Sequence, residues 1–437
     1  RTREKYQVVQ ATLVDTWAST AAGAFALSEN SLYTSEAFQD YLRCLTADGL
    51  LSFTRWGVEP PRESLRLISL AIEALKRAGQ ADPWRNIIVV RENAEKVSDW
   101  GATDTVLAAR RPFTPEEIES VRGAAAETRI EIVYLPGERR GNPFDGLLLS
   151  RNPAKFQADY PYNISPVSDD RPFFFYTVQP RDIRNFLAGI SSRSADYNIN
   201  RAVPLLFRLV LVSVAATLVI LALPPFLLGS RLPRENGVAG FHLYFVAIGA
   251  GYILIQVALI QKLVLFLGHP TYALTVVIFT MLIASGLGSW FSRRVTQRLP
   301  RRLTRVLALV AVLVALLALV VPHLSAAGVG WPFWLKLAVT VVVVGAPAFL
   351  MGMPFPTGLS LLELRHKQSV RLAWSLNAAA SVLGSVNAIV LAIYLGLRMT
   401  LLIGGGLYLA AAVIVLLALR GGEGEALPAP LAEAALR

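Results

Sequence analysis

The sequence is poor in the residues that most metal and redox chemistry requires. It has one cysteine, Cys44, so no intrachain disulfide can form and a disulfide framework is excluded. Its four histidines, His242, His269, His323 and His366, show no ligand spacing, which with a single cysteine argues against a zinc site. Acidic residues are scarce in the second half: residues 201–437 hold 5 Asp and Glu against 18 Lys and Arg, whereas residues 1–200 hold 26 against 24. No carboxylate falls inside the apolar spans of that half, and Glu235 and Glu363 read as loop residues, which disfavours a proton- or sodium-driven transporter. A net charge of +11 would suit nucleic acid. The arginines, however, stand in short loops between apolar runs, where they orient a chain in a membrane, so no nucleic-acid partner is expected.

What the second half does have is length without charge. Apolar stretches cover Pro204–Leu223, Phe241–Gln261, Tyr272–Trp290, Leu303–Val321, Phe333–Met351, Leu372–Leu397 and Thr400–Leu419. Each matches the ~20 residues needed to cross a ~30 Å hydrocarbon core, so about seven transmembrane helices and a lipid partner are expected. With seven spans, the arginine-rich loops Ser292–Arg302 and Gly352–Arg371 fall on one side together with Arg231 and Arg234. The positive-inside rule puts that side in the cytoplasm and residues 1–200 outside, whereas a domain using a cytosolic co-substrate must be inside. The cytoplasmic face of the membrane is preferred on that second ground, with Arg208 weakening the first span. Polar residues within the spans are Gln256, Gln261, Lys262, Asn377, Ser381, Ser385 and Asn387, with Lys262 expected to reach the headgroups. Asn377, Ser381, Gly384 and Ser385 at helical spacing read first as a small-residue packing face. Pro354 and Pro356 mark either a plain loop or a broken helix.

The first half alternates strand and helix patterns. Apolar β-rich runs occur at Tyr6–Val14, Leu50–Phe53, Asn86–Val90, Thr105–Ala109 and Ile130–Tyr134, with Asp48-Gly49 read as a turn. Helical periodicity covers Ser35–Leu45 and Glu63–Ala78, the latter closed by Gly79, and Thr114-Pro115-Glu116-Glu117 opens another helix with a capping box. The alternation predicts a parallel, doubly wound sheet with ligands at the carboxyl ends of its strands. The domain limits drawn from this are 1–138 for the α/β domain, 139–200 for a Pro- and Asp-rich connector with an aromatic anchor at Pro172–Tyr176, 201–420 for the membrane domain and 421–437 for a flexible tail.

Asp15 ends the first strand in Leu13-Val14-Asp15-Thr16-Trp17. At a strand's carboxyl end its carboxylate can orient and deprotonate an amine, and it can equally cap the turn that follows. Asp169-Asp170-Arg171 reads as a local ion pair that docks the connector, with ligand contact as the alternative.

The segment from Tyr6 to Trp56 resembles the second half of the spermidine synthase (polyamine aminopropyltransferase) fold. The likeness rests on Asp15 at a strand end, on Ser31-Leu32-Tyr33-Thr34-Ser35-Glu36-Ala37-Phe38, and on Leu45-Thr46-Ala47-Asp48-Gly49-Leu50-Leu51. Over the whole chain, Ser168-Asp169-Asp170-Arg171-Pro172-Phe173-Phe174, Leu267-Gly268-His269-Pro270, Met351-Gly352-Met353-Pro354-Phe355-Pro356 and Ala373-Trp374-Ser375-Leu376-Asn377 resemble signatures of bacterial membrane proteins described as spermidine synthase-like. The resemblance implies part of a Rossmann-like methyltransferase and spermidine synthase sheet, followed by an all-α multi-pass transmembrane domain. It implies transfer of an aminopropyl or methyl group from decarboxylated S-adenosylmethionine or S-adenosylmethionine to a small amine, without a metal. Asp15 corresponds to the first aspartate of the family's Asp-Ser-Ser-Asp-Pro motif and is the implied catalytic residue, while Thr16, Trp17, Glu29, Asn30 and Tyr33 are the implied substrate contacts. The motif's second aspartate falls at Ala18 and its proline at Ser19. The family's glycine-rich first turn and acidic ribose-binding residue are not found here, and the resemblance implies that they belong to an N-terminal region of the same protein.

Overall fold

A computed structural model describes residues 4–13, 30–99, 101–182, 202–227, 238–295 and 300–421. The chain divides into two compact units, Arg1–Phe207 and Arg208–Arg437.

The first unit contains β1 (Tyr6–Thr12), α1 (Ser35–Cys44), β2 (Leu45–Trp56), α2 (Glu63–Arg77), β3 (Ile87–Glu92), β4 (Thr103–Ala109), α3 (Pro115–Glu127), β5 (Glu131–Tyr134), α4 (Pro143–Leu148) and α5 (Pro153–Asp159). The sheet order is β1-β2-β4-β3-β5. It is mixed rather than parallel: β1 and β2 run parallel, and the β2/β4, β4/β3 and β3/β5 pairs are antiparallel. The strands β1, β2 and β3 therefore point one way, and β4 and β5 the other. Each strand–helix–strand unit seen in the sequence is present, since α2 joins two strands of like direction, β2 and β3, and α3 joins β4 and β5. The two units interleave, so that each helix-linked pair is separated by a strand of the other pair. The link from β3 to β4 is shorter than the dozen or so residues a parallel crossover needs, which turns β4 back antiparallel.

Local signals explain the helix ends. The side chain of Thr114 accepts from the Glu117 N–H, and Glu117 returns a bond to the Thr114 N–H, completing the capping box of α3. Gly79 follows α2 with φ +90°, where a side chain would be strained. Asp48 and Gly49 form no turn. They lie within β2, in a bulge where Tyr6 pairs with Leu45 and Val8 with Leu50, and a Cβ on Gly49 would sit 2.9 Å from the Tyr6 carbonyl oxygen.

The core gathers Phe38, Leu42, Leu51, Phe53, Leu65, Ile68, Leu75, Val89 and Val106. Residues beyond 138 share this core: Phe144, Leu147, Tyr160, Ile164, Val167 and Phe174 pack in the same cluster. The aromatic anchor of the sequence is buried throughout, from Phe173 to Tyr176.

The second unit is helical: α6 (Ala202–Leu227, which begins in the first unit), α7 (Val238–Leu267), α8 (Pro270–Val295), α9 (Pro300–Ala327), α10 (Phe333–Met351), α11 (Pro354–Arg365), α12 (Val370–Leu395) and α13 (Leu397–Gly421). Among the described residues six helical stretches are long and apolar enough to cross a membrane, namely α7, α8, α9, α10 with α11, α12 and α13. α6 is a further apolar helix of 26 residues, with Arg208 near its start. Large apolar side chains face outward along the spans, including Leu282, Ile283 and Val342 at 57%, 62% and 69% exposure. Patches of this extent are covered by lipid in a multi-pass membrane protein. On α8, Tyr272 and Trp290 are exposed near opposite ends, about 27 Å apart at 1.5 Å per residue. That is the separation of the two interfacial aromatic belts of a bilayer.

The segment after Met351 is a second helix and not a loop. Pro354 and Pro356 lack N–H groups and interrupt the hydrogen-bond ladder, and α11 resumes at once, with Glu363 exposed on it rather than in a loop. Packing in this unit depends on small residues. A Cβ on Gly288 would overlap the Phe349 carbonyl oxygen, and one on Gly352 the Ser285 carbonyl oxygen, so α8 and the end of α10 meet backbone to backbone.

Candidate functional site

Three strand ends meet at one edge of the sheet, the carboxyl ends of β1, β2 and β3. The two non-glycine residues with left-handed φ among those described are here: Leu13, one residue past β1, at +47°, and Asn93, one residue past β3, at +52°. Asn tolerates that region, whereas a branched apolar residue pays a steric cost for it, so the backbone is strained at Leu13, the last described residue of this stretch.

A row of charge crosses the same edge. Arg55 of β2, Asp104 of β4 and Arg91 of β3 are successive register partners, so their side chains share a face. Asp104 is fully buried and receives Arg91 Nε at 2.6 Å, Arg91 Nη2 at 3.1 Å and Ser64 Oγ at 2.6 Å. Arg91 Nη1 reaches Glu59 at 2.7 Å, and the Glu59 side chain is half exposed. Burial alone would lower the Arg91 pKa, and the hydrogen bonds and charge of Asp104 and Glu59 more than reverse that. Gly57 lies so close that a Cβ there would be 2.7 Å from Asp104 Oδ1. Arg55 donates through Nε and Nη2 to Glu63 at 2.8 and 2.6 Å, donates to Tyr33 Oη at 3.3 Å, and lies 4.9 Å from the centre of the Phe175 ring. Arg91 and Ser64 together place three hydrogen bonds on the buried Asp104, which makes it a brace for the edge.

Arg66 of α2 is a further buried cation. Its Nη1 donates to the carbonyls of Phe174 and Tyr176 at 2.5 and 2.7 Å, and Nη2 donates to the carbonyl of Asn163. Burial pulls its pKa down to about 9, with Arg171 acting in the same direction and Glu63 against it. The guanidinium thus staples the segment 163–176 to α2.

The residues singled out by sequence are dispersed. Asp15, Thr16, Trp17 and Glu29 lie outside the described residues. Asn30 closes a turn, its Oδ1 accepting from the Leu32 N–H at 3.0 Å and its own N–H donating to the Pro172 carbonyl at 2.8 Å. Tyr33 has no exposed surface and stacks on Phe174 with centroids 4.6 Å apart, which places it in the core. Asp169 accepts from Thr34 Oγ1 at 2.6 Å, and its N–H donates to Glu36 at 3.0 Å, a docking contact at the start of α1. The row Arg55–Asp104–Arg91 was missed in the sequence. Its signal was a charge set directly beside apolar or Thr residues near one end of three strands: Phe53-Thr54-Arg55, Val89-Val90-Arg91 and Thr103-Asp104-Thr105.

In the helical unit Asn377 Nδ2 donates to the Phe245 carbonyl at 2.9 Å and Ser381 Oγ to the Gly249 carbonyl at 3.3 Å, which joins α12 to α7 as a packing face. Tyr244 Oη donates to the Pro354 carbonyl at 2.7 Å. Lys262 is buried within the bundle instead of extending to the headgroups, and beside it Gln261 Oε1 is buried without a hydrogen-bond partner. Among the described residues no cluster of three His, Cys, Asp or Glu is placed to hold a metal.

No family model matches the chain, and neither a curated protein nor a solved structure matches it.

Proposed function

We propose that the chain is a membrane-anchored transferase similar to spermidine synthases, which positions a small amine at the carboxyl edge of β1–β3 with Asp15 as its orienting base. The observation that carries this reading is the left-handed turn at Leu13, a strained backbone on an apolar residue two positions before Asp15. Strain of this kind persists where the surrounding structure enforces it and collects at functional sites. The half-exposed Glu59, held by Arg91, adds a carboxylate to the same edge, where a cationic amine needs carboxylates to replace its hydration.

The donor is a separate matter. Residues 1–200 contain no Gly-x-Gly sequence, and the described α/β residues do not fit a sulfonium nucleoside, whose site needs a close glycine turn at a strand end. Ala18 in place of the motif's second aspartate favours a second reading, in which the α/β unit no longer transfers and the membrane helices bind or move a small amphiphile or polyamine. Titration calorimetry of the intact protein with decarboxylated S-adenosylmethionine, S-adenosylmethionine and a diamine separates the two. Heat with one donor and with the diamine supports the transferase, and no heat with either donor overturns it. In the active protein Asp15→Asn is expected to abolish turnover with the melting temperature unchanged; retained turnover would show that Asp15 only caps its strand.

We further propose residence in a bacterial inner membrane with the α/β unit in the cytoplasm. Six crossings start and end on one side, that of Arg293, Arg294, Arg301, Arg302, Lys367 and Arg371, which the positive-inside rule assigns to the cytoplasm. This arrangement has α6 lying along the bilayer rather than through it. Cys44, the sole cysteine, is partly exposed and reports the face. A membrane-impermeant maleimide should label it in inverted vesicles and not in intact cells, and labelling of intact cells would reverse the orientation.

A further inference from the structure

The outer surface of the bundle carries one groove closed at both ends, between α8 and α10. At one end the two helices touch through backbone, with Gly288 against the Phe349 carbonyl and Gly352 against the Ser285 carbonyl. At the other end the rings of Tyr272 and Phe333 meet with centroids 5.0 Å apart, one turn beyond Thr275 and Leu337. Between these closures the helices part and leave a cavity of about 450 Å³. Its walls include Phe279, Ile283 and Leu287 on α8 and Leu337 and Val341 on α10, with Gly345 keeping the floor low. No charged side chain lines it.

We propose that this groove binds a single acyl chain of an amphiphile from the membrane leaflet on the Tyr272 side. Length is the first argument. The lining runs from Thr275 to Leu287 on α8 and from Leu337 to Gly345 on α10, about 18 Å and 12 Å at 1.5 Å per residue. One leaflet of a ~30 Å core has the same depth. Closure is the second, because backbone contact blocks one end and packed rings the other, whereas a further helix would run the length of its neighbours. Position is the third. Tyr272, Phe333 and Trp334 are exposed at the upper end, where aromatic side chains mark the headgroup level, so an amphiphile held there has its polar end at the interface and its tail in the groove. With both ends shut, a guest arrives sideways from lipid and not from water. The site stands on the membrane location of the helices alone and is independent of the transferase reading.

The test uses the intact protein in lipid nanodiscs containing a fatty acid with a diazirine in mid-chain, photolysed and mapped by mass spectrometry. Adducts are expected on Phe279, Ile283 and Val341 at several times the level on Val382, an equally outward residue of α12. Val341→Trp, which fills the groove from an exposed position, should cut the groove adducts several-fold and leave those on Val382 unchanged. Gly345→Leu should do the same by raising the floor, so a folding failure in either variant leaves the other to report. An even spread of adducts over all outward positions, meaning annular lipid only, would overturn the proposal. So would adducts indifferent to both substitutions, or an Ile283→Cys variant that cross-links to a second copy because a protein helix fills the groove.

Discussion

The two units hold together by opposite means. In the α/β unit several buried side chains are charged and paired, as in Arg91 with Asp104, Arg55 with Glu63, and Arg66 on a set of carbonyls. In the helical unit the close contacts are uncharged: glycine against backbone at Gly288 and Gly352, and amide or hydroxyl to carbonyl at Asn377 and Ser381. The solvent explains the difference. In water an apolar face drives helices onto a sheet, and a few buried charges can be carried by that driving force. In lipid no hydrophobic gain separates one helix from another, so association depends on close packing and weak polar bonds, for which small residues are required.

The largest expected effect comes from breaking a charge pair on the water-soluble side. Asp104→Ala leaves Arg91 buried with half its partners and is expected to cost ~3–5 kcal/mol, read as a drop in the melting transition of the α/β unit. Asp104→Leu with Arg91→Met, which removes both charges, should recover most of it; equal losses in the single and double variants would show that the row is not a coupled pair. Next is Gly288→Leu in the membrane unit, where the new side chain must displace the Phe349 backbone. A loss of ~1–3 kcal/mol, as for overpacked cores, is expected, with loss of the α8–α10 contact in cross-linking. An unchanged melting profile would mean that the two backbones do not touch.

Smaller effects sharpen the contrast. Thr114→Ala removes the cap of α3 and should cost ~1 kcal/mol. Hydrogen bonds from Arg111 hold the Glu117 pKa below the usual carboxylate value. A carboxylate with a depressed folded pKa stabilises at pH above its unfolded value and loses that contribution as pH falls through the folded one. Protection of the α3 amides from hydrogen exchange should therefore fall on acidification toward pH 3, and constant protection would deny the cap its role. Asn377→Ala is expected to cost ~0.6 kcal/mol, the typical size of an interhelical bond in a bilayer. A loss of the Asp104 size would erase the distinction between the units.

Local chemistry made much of this legible in the sequence. The capping box at Thr114, the glycine stop at Gly79, the aromatic anchor at Phe173–Tyr176 and the long apolar spans all depend on neighbours within a few residues or on uninterrupted length. What stayed hidden depends on partners distant in the chain. Interleaving of the two strand–helix–strand units turns a parallel expectation into a mixed sheet without changing any local pattern. Asp48-Gly49 carries the composition of a turn, and only the pairing of Tyr6 with Leu45 makes it a bulge. Tyr33 is aromatic and polar like a ligand contact, yet Phe174, far along the chain, covers it. Pro354 signals a break and leaves open whether a loop or a resumed helix follows.

The contrast requires that the outward faces of α7–α13 meet lipid. Light scattering of the purified chain on a sizing column, run in detergent and again after detergent removal, tests this directly. A single detergent-bound species that aggregates once the detergent is gone is the expected result. A chain that stays monodisperse in plain buffer would contradict the account.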